Sequence, residues 1–222
     1  MKKIIKNYLL KEIKLDPKKT LVLISLILLG ISIFLPLWSI KLTAPQYPDG
    51  LSLQIFFNEI AGGQKSTIQN VNILNHYIGM APINIDVIPE FKYLIYVQIL
   101  LVACGAYIYI KSFKLKSLIK LFALQSIFCL FCLYDFWLWL YTYGHDLDPN
   151  AAIKIPGMTY QPPIIGTKNL LNFTVVSLPS YGVISLTLAL IILLYIICHK
   201  KDILPTEFKR SDDIIIRMVK KK

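Results

Sequence analysis

Charged residues are scarce in this sequence, and acidic residues are scarcer than basic ones. Only 17% of the 222 residues are charged, with 13 acidic side chains against 24 basic ones. Because a soluble domain carries roughly 25% charged residues, an ordinary water-facing surface is excluded. The formal net charge of +11 would suggest a nucleic-acid partner if it were spread over a soluble surface. It is clustered in a few segments instead, and we expect no nucleic-acid binding.

Catalytic signatures are missing as well. The sequence contains no phosphate-binding P-loop, no dinucleotide-binding G-x-G-x-x-G and no nucleophile elbow. Cysteine is confined to the apolar runs, where Cys129 and Cys132 match C-x-x-C. Redox pairs gain their thiolate character at an exposed helix start, which a buried helix interior does not offer. These absences favour a protein without enzymatic activity and leave a membrane thiol oxidoreductase as an alternative.

Long apolar runs take the place of the missing charge. Each run is long enough, at about 1.5 Å per residue of helix, to cross a hydrocarbon core of roughly 30 Å. Inside such a core only helices or closed barrels satisfy the backbone, and these runs do not alternate as barrel strands do. The sequence therefore predicts an all-α membrane protein with four transmembrane helices, at residues 20–42, 91–110, 118–142 and 178–198.

Clusters of lysine and arginine predict how the chain is oriented. Most of these residues lie before the first run, between the second and third, and after the fourth. Because cationic segments stay in the cytoplasm, both ends of the chain are expected inside, in a bacterial inner membrane. The cytoplasmic parts would be an interfacial segment at 1–19, a loop at 111–117 and a basic tail at 199–222, all attracted to anionic lipid headgroups.

The two predicted outer loops, residues 43–90 and 143–177, are longer than a simple connection needs. Loops longer than about 12–15 residues are usually functional or disordered, and the many aliphatic and aromatic side chains here argue against disorder. We expect the loops to pack as a small ordered cap over the helices and to bind a periplasmic protein or a membrane complex. The candidate partner-binding residues are Tyr47, Tyr77, Asp146 and Tyr160.

Histidine and methionine recur together in both outer loops. His76 and Met80 lie close in the first loop, and His145 and Met158 lie in the second. Imidazole and thioether ligands suit copper, because soft sulfur selects Cu(I) and imidazole accepts either oxidation state. We therefore predict a copper site that these four residues form, with Asp135 as a fifth candidate. The alternative is structural, since a histidine near the membrane surface can be a satisfied polar residue and a methionine can fill a gap.

Asp135 lies within the third apolar run, roughly 7–8 Å below its outer end. An ionisable residue at such a depth is costly and is by default a functional candidate. It could bind a ligand or handle protons, which would suit a subunit of a membrane transporter or of a metal-dependent redox complex. It could equally accept hydrogen bonds from the outer-loop backbone and lock the cap to the helices.

Three stretches of the sequence resemble one known family. They are TAPQYPDGL, NVNILNHYIGM and YDFWLWLYTYGHDLDPNAAIKIPGMTYQPPIIGTKNLLNF. They resemble the small multi-span membrane proteins encoded in nitrous oxide reductase gene clusters of the Sec-exported, clade II type, over roughly residues 30–198. The resemblance implies an accessory protein that assembles, supplies or anchors a periplasmic copper enzyme. It carries over no catalytic motif.

Overall fold

The computed structural model describes residues 16–199. The predicted interfacial segment 1–19 therefore lies largely outside the described residues, as does the predicted basic tail 199–222. The helices are α1 (Pro17–Ile31), α2 (Thr67–Ile78), α3 (Leu94–Lys111), α4 (Leu115–His145) and α5 (Tyr181–Cys198). The strands are β1 (Trp38–Ala44), β2 (Tyr47–Ile55), β3 (Ile60–Gly62), β4 (Gly166–Leu170) and β5 (Phe173–Pro179). Two short 3-10 turns, Ile85–Val87 and Pro89–Lys92, lead into α3.

The five strands form one antiparallel sheet in the order β3-β2-β1-β5-β4. The central strand β1 pairs with its neighbour in sequence, β2, so that Trp38 lies opposite Ile55. On its other side β1 pairs with β5, which follows more than a hundred residues later, and Trp38 lies opposite Pro179. The sheet thereby joins β1 and β2 to β5 and β4, although the helices α2, α3 and α4 lie between these two pairs of strands in the sequence.

Alternating side chains explain why these segments form strands. Along β5, Phe173, Val175 and Ser177 are buried, and the residues between them are less so. Along β2, Leu51 and Leu53 are buried in the same way. A period of two places successive side chains on opposite faces of a sheet, so one face becomes apolar and the other meets water.

Helix α2 packs on the apolar face of this sheet. Its buried residues Val71, Leu74 and Ile78 share one side of the helix and join a core with residues of the sheet. Gly79 ends the helix in the left-handed conformation, with φ of 80°, and Met80 N–H donates to the Asn75 carbonyl. A glycine there is the usual helix stop, because the conformation disfavours a Cβ. We call the sheet, α2 and the segment 146–165 the cap.

The other four helices pack side by side as a bundle, in which α1 contacts α3 and α5, and α4 contacts the same two helices. Polar side chains join them inside the bundle. Gln125 Nε2 donates to Gln98 Oε1 across 2.9 Å, and Gln98 Nε2 donates to the Leu29 carbonyl. Ser25 Oγ donates to the Ala189 carbonyl. Such bonds hold helices together where the surroundings offer no water.

Three of the described helices, α3, α4 and α5, are long and apolar enough to cross a membrane. Their outward side chains are apolar too, including Tyr96, Leu100, Ile127, Leu130 and Ile191. Exposed apolar surface of this extent is typical of a protein that meets lipid. Helix α1 has 15 residues, which span about 22 Å, less than a core of roughly 30 Å.

The prediction of an all-α fold with four transmembrane helices is wrong. The first apolar run, 20–42, begins as α1, leaves the helix after Ile31 and ends as strand β1. Pro36 explains the change, because proline lacks the N–H of a helical residue and forces the residue before it out of the helical conformation. After Pro36, the exposed Lys41 lies between the apolar residues Ile40 and Leu42, and such alternation is typical of a strand.

The regions predicted as two outer loops also differ from expectation. Residues 43–90 contain β2, β3 and α2, and residues 143–177 contain β4 and most of β5. The cap is therefore a sheet with a helix on it, and the irregular chain between these elements is short except at 146–165. The apolar content of these regions predicts an ordered cap, but only the alternation of apolar and polar residues predicts strands.

Candidate functional site

A cavity of about 670 Å³ lies between the cap and the helical bundle. The apolar face of the sheet, α2, α4 and α5 all contribute to its wall. Its volume falls inside the range of roughly 300–1,000 Å³ that ligand-binding pockets occupy. Most of its lining is aliphatic or aromatic, so the cavity suits an apolar molecule.

The cavity runs along α4 from Ser126 to Tyr143, a length of about 25 Å at the usual helical rise. It therefore extends beside a helix that can cross a membrane. Leu130 and Leu133 of α4 and Thr187 of α5 belong to its lining and are also exposed. The cavity is thus open at the flank of the bundle, on the surface that we have described as apolar.

Two carboxylates line this apolar space. Asp135 lies on α4, and Glu90 lies on the 3-10 turn Pro89–Lys92 that leads into α3. They are close enough for their charges to repel one another. Oxygen Oε2 of Glu90 is shielded from solvent and has no hydrogen-bond partner within residues 16–199. A buried acceptor without a donor is costly, so this oxygen is available to accept a hydrogen bond from water or from a molecule in the cavity.

Tyr160 contributes a further polar group to the lining. The residue is 2% exposed, and its hydroxyl has no hydrogen-bond partner in the described part of the chain. Its backbone N–H donates to the Gly144 carbonyl at the end of α4. A Cβ at Gly144 would collide with the backbone of Gln161. Glycine at this position therefore lets the segment that carries Tyr160 lie directly against the helix end.

The five predicted copper ligands lie in different environments. Met80 and Met158 both pack against the core of the cap. His76 is exposed on α2. His145 is exposed at the end of α4, stacked on Tyr141 with ring centroids 3.9 Å apart. Nowhere in residues 16–199 do three His, Cys, Asp or Glu side chains come together as a metal site would require. Copper binding by these residues stays a prediction.

Asp135 faces the cavity and is not engaged by the cap backbone. No hydrogen bond to its carboxylate occurs within the described residues, so nothing there supports the interpretation of Asp135 as a lock between cap and helices. The same cavity contains Met80 but neither His76 nor His145. Of the predicted site residues, Asp135 therefore shares a cavity with Met80 and Tyr160.

The predicted partner-binding residues divide into surface and interior. Tyr77 and Asp146 are exposed on the cap. Tyr47 is partly buried against the core of the cap. Tyr160 is buried in that core and lines the cavity. Tyr77 and Asp146 are thus available to a protein partner, whereas Tyr160 is available to a molecule inside the cavity.

Glu90 is the functional candidate that sequence reasoning missed. It directly precedes the second apolar run, where an acidic residue reads as the end of a loop. Two features of the sequence could have identified Glu90. It lies at the border of a membrane-crossing helix, and Lys92 is the only basic residue near it in the sequence. Cys129 and Cys132 also line the cavity, and all the cysteines are free thiols.

The sequence matches no protein-family model, and no curated protein matches it. The resemblance to the membrane proteins of nitrous oxide reductase gene clusters therefore stays a prediction.

Proposed function

We propose that this chain is a membrane-anchored accessory protein without enzymatic activity, and that its cap binds a periplasmic protein. It would lie in the bacterial inner membrane with several helices crossing the bilayer and the cap outside. Supporting this orientation, Lys111, Lys114 and Lys116 lie in the link between α3 and α4 or in the helix turns beside it. The link lies at the end of the bundle opposite the cap, because α4 begins there and ends at the cap. Clustered lysines favour the cytoplasmic side.

The observation that carries the proposal is an exposed patch on the cap, formed by Ile73, His76 and Tyr77 of α2 together with Ile153. Ile73 and Tyr77 are each 51% exposed, and Ile153 is 42% exposed. The Ile153 N–H donates to the Tyr77 carbonyl across 2.9 Å, which fixes the loop beside the helix. Aromatic and aliphatic side chains held rigidly at a surface are what the core of a protein interface offers. We call these four residues the docking patch.

The nature of the partner rests on the resemblance found in the sequence. It favours a periplasmic copper enzyme similar to nitrous oxide reductase. Because His76 belongs to an exposed patch and not to a group of ligands, we assign this chain the docking or maturation of that enzyme. Copper held by His76 or His145 is not part of the proposal.

Site-specific photo-crosslinking in cells that make such a reductase tests the proposal. A benzophenone side chain at Tyr77 should capture the reductase, whereas the same group at Tyr96 should not. Tyr96 is a matched control because it is also an exposed tyrosine but lies on the lipid-facing side of α3. Capture of no periplasmic protein from Tyr77, or equal capture from both positions, would contradict the proposal.

A second candidate is a subunit of a membrane transporter or metal-dependent redox complex. The observation that favours it is the pair of carboxylates, Asp135 and Glu90, in a cavity beside a membrane-crossing helix. Proton or metal flux into vesicles containing the protein would support it, provided that Asp135→Asn abolishes the flux. The control is Glu59→Gln, which removes an exposed carboxylate outside the cavity. Absence of flux in folded wild-type protein would exclude this candidate.

A further inference from the structure

We propose that the cavity between the cap and the bundle is a binding site for an amphipathic molecule, which combines an alkyl chain with a positively charged, hydrogen-bond-donating ammonium group. The chain would lie against the apolar wall, and the ammonium group would lie between Glu90 and Asp135. This site is separate from the docking patch, whose residues do not line the cavity.

The alkyl chain follows from the shape and surroundings of the cavity. The cavity is long, follows α4 for about 25 Å, and opens at the flank of the bundle beside Leu130, Leu133 and Thr187. That flank belongs to helices that can cross a membrane. A molecule dissolved in the bilayer can enter through such an opening without passing through water, and an alkyl chain matches an apolar wall at no cost in unsatisfied hydrogen bonds.

The ammonium group follows from the charges that line the cavity. Ionised Glu90 and Asp135 can only accept hydrogen bonds, and Glu90 Oε2 lacks a donor within residues 16–199. No lysine or arginine belongs to the lining among the described residues. A fatty acid or a lone phosphate would thus meet two acidic side chains and no basic one. An ammonium group instead supplies both the donors and the opposite charge.

Tyr160 offers a further hydrogen-bonding group in the wall of the same cavity. Its buried hydroxyl can donate a hydrogen bond to a polar atom of the ligand or accept one from it. A free long-chain amine and a lipid with an ethanolamine headgroup share the required chemistry. The structure assigns the primary ammonium group, and the experiment distinguishes its two sources.

Tryptophan fluorescence offers a direct measurement, because the protein has three tryptophans and Trp38 and Trp139 line the cavity. In a Trp137→Phe, Trp139→Phe protein only Trp38 remains, and it is 7% exposed. This protein would be placed in phosphatidylcholine nanodiscs. Dodecylamine with bromine on its chain should quench Trp38 in a saturable manner, and unlabelled dodecylamine should reverse the quenching. Brominated dodecanoate should need a concentration at least about tenfold higher.

Variants then test the two carboxylates. Glu90→Gln and Asp135→Asn should each raise the concentration of amine for half-maximal quenching by about tenfold or more, because each removes one charge that faces the ammonium group. Glu59→Gln should leave it unchanged. Glu90→Gln and Asp135→Asn each change a carboxylate to an amide of the same shape, so each tests one charge separately. A thermal melt in the same nanodiscs confirms that each variant is folded.

The outcomes divide clearly. Reversal by phosphatidylethanolamine added to the nanodiscs identifies the lipid headgroup as the source of the ammonium group, and reversal by dodecylamine alone identifies a free amine; both support the site. The proposal is overturned if no quenching of Trp38 saturates, if dodecanoate quenches as well as the amine, or if neither amide variant weakens binding.

Discussion

The cap buries its leucines, whereas the helical bundle exposes many of its own. Leu51 and Leu53 of the sheet are each 6% exposed, but Leu100 and Leu130 of the bundle are 61% and 66% exposed. Two large polar side chains, Gln98 and Gln125, are meanwhile fully buried inside the bundle. The cap is therefore organised as in a water-soluble protein, by removing apolar surface from water. The bundle is organised by packing and internal hydrogen bonds, as expected in lipid.

This difference teaches that one hydropathy criterion cannot serve for the whole chain. Leucine at a given position indicates a core in the cap and a lipid-facing surface in the bundle. The cavity lies where the two kinds of organisation meet, so its wall combines apolar side chains from both with the carboxylates of Glu90 and Asp135. The following substitutions test whether the two regions respond as differently as their surfaces suggest.

The largest effect is expected inside the cap. Val175→Asp places a charge at a site that is 3% exposed in the core of the cap, and it should lower the free energy of unfolding by at least about 3 kcal/mol. Its control is the next residue, since Val176→Asp introduces the same group on the opposite face of the same strand. Limited proteolysis, read for cleavage within residues 38–62, should show the cap open in the first variant only. Equal protection in both variants would mean that β5 does not pack as described.

That pair of valines also shows why part of the fold escaped sequence reasoning. Long uniform runs predict helices well, and α3, α4 and α5 occupy most of the second, third and fourth apolar runs. A strand inside an apolar region is harder to recognise, because Trp38, Ile40 and Leu42 extend the first run without a break in hydropathy. Only Pro36 and Lys41 within that run indicate that the helix ends and a strand follows.

The site was predictable to a similar extent. Asp135 stands out in the sequence, because a carboxylate within an apolar run has few structural explanations. Glu90 does not, since its role depends on a 3-10 turn that carries it to the same cavity. Tyr160 lies against the end of α4 because the backbone at Gly144 admits its segment so closely. The positions of Glu90 and Tyr160 in the cavity both depend on contacts between residues far apart in the chain. No local sequence pattern predicts such contacts.

A smaller effect is expected at the joint between the two regions. Gly144→Ala adds a methyl group that would collide with the backbone of Gln161. We expect a loss of about 1–3 kcal/mol in the free energy of unfolding, because the backbone must move as a whole to relieve the clash. The hydrogen bond from Tyr160 N–H to Gly144 O should lengthen, and hydrogen exchange at the Tyr160 amide should become faster. An unchanged exchange rate would show that the cap and α4 are not in direct contact there.

Within the bundle, the buried glutamines are expected to contribute less. Gln98→Leu removes the bond to the Leu29 carbonyl and leaves the Gln125 amide without its partner. We expect a loss of about 1–2 kcal/mol, since hydrogen bonds between membrane helices average about 0.6 kcal/mol. Unfolding in mixed detergent micelles containing increasing dodecyl sulfate measures it. Adding Gln125→Leu should cost little more, and full additivity would contradict the bond between the two side chains.

The smallest expected effect has the opposite sign. Gly30 lies in the last turn of α1, and apart from the backbone of its own helix, no atom of the described residues lies within 4 Å of where a Cβ would be. Gly30→Ala should therefore raise the free energy of unfolding by about 0.5–1 kcal/mol, because alanine restricts the unfolded chain without adding a clash. The matched comparison is Gly105→Ala in α3, where the same methyl group would collide with Leu26 and should destabilise the bundle. Thermal unfolding in detergent and in nanodiscs measures both variants. If Gly30→Ala were destabilising in both detergent and nanodiscs, another part of the protein or a second copy of it would have to fill the open space beside Gly30. The bundle would then have a tightly packed surface at that position instead of one covered by lipid.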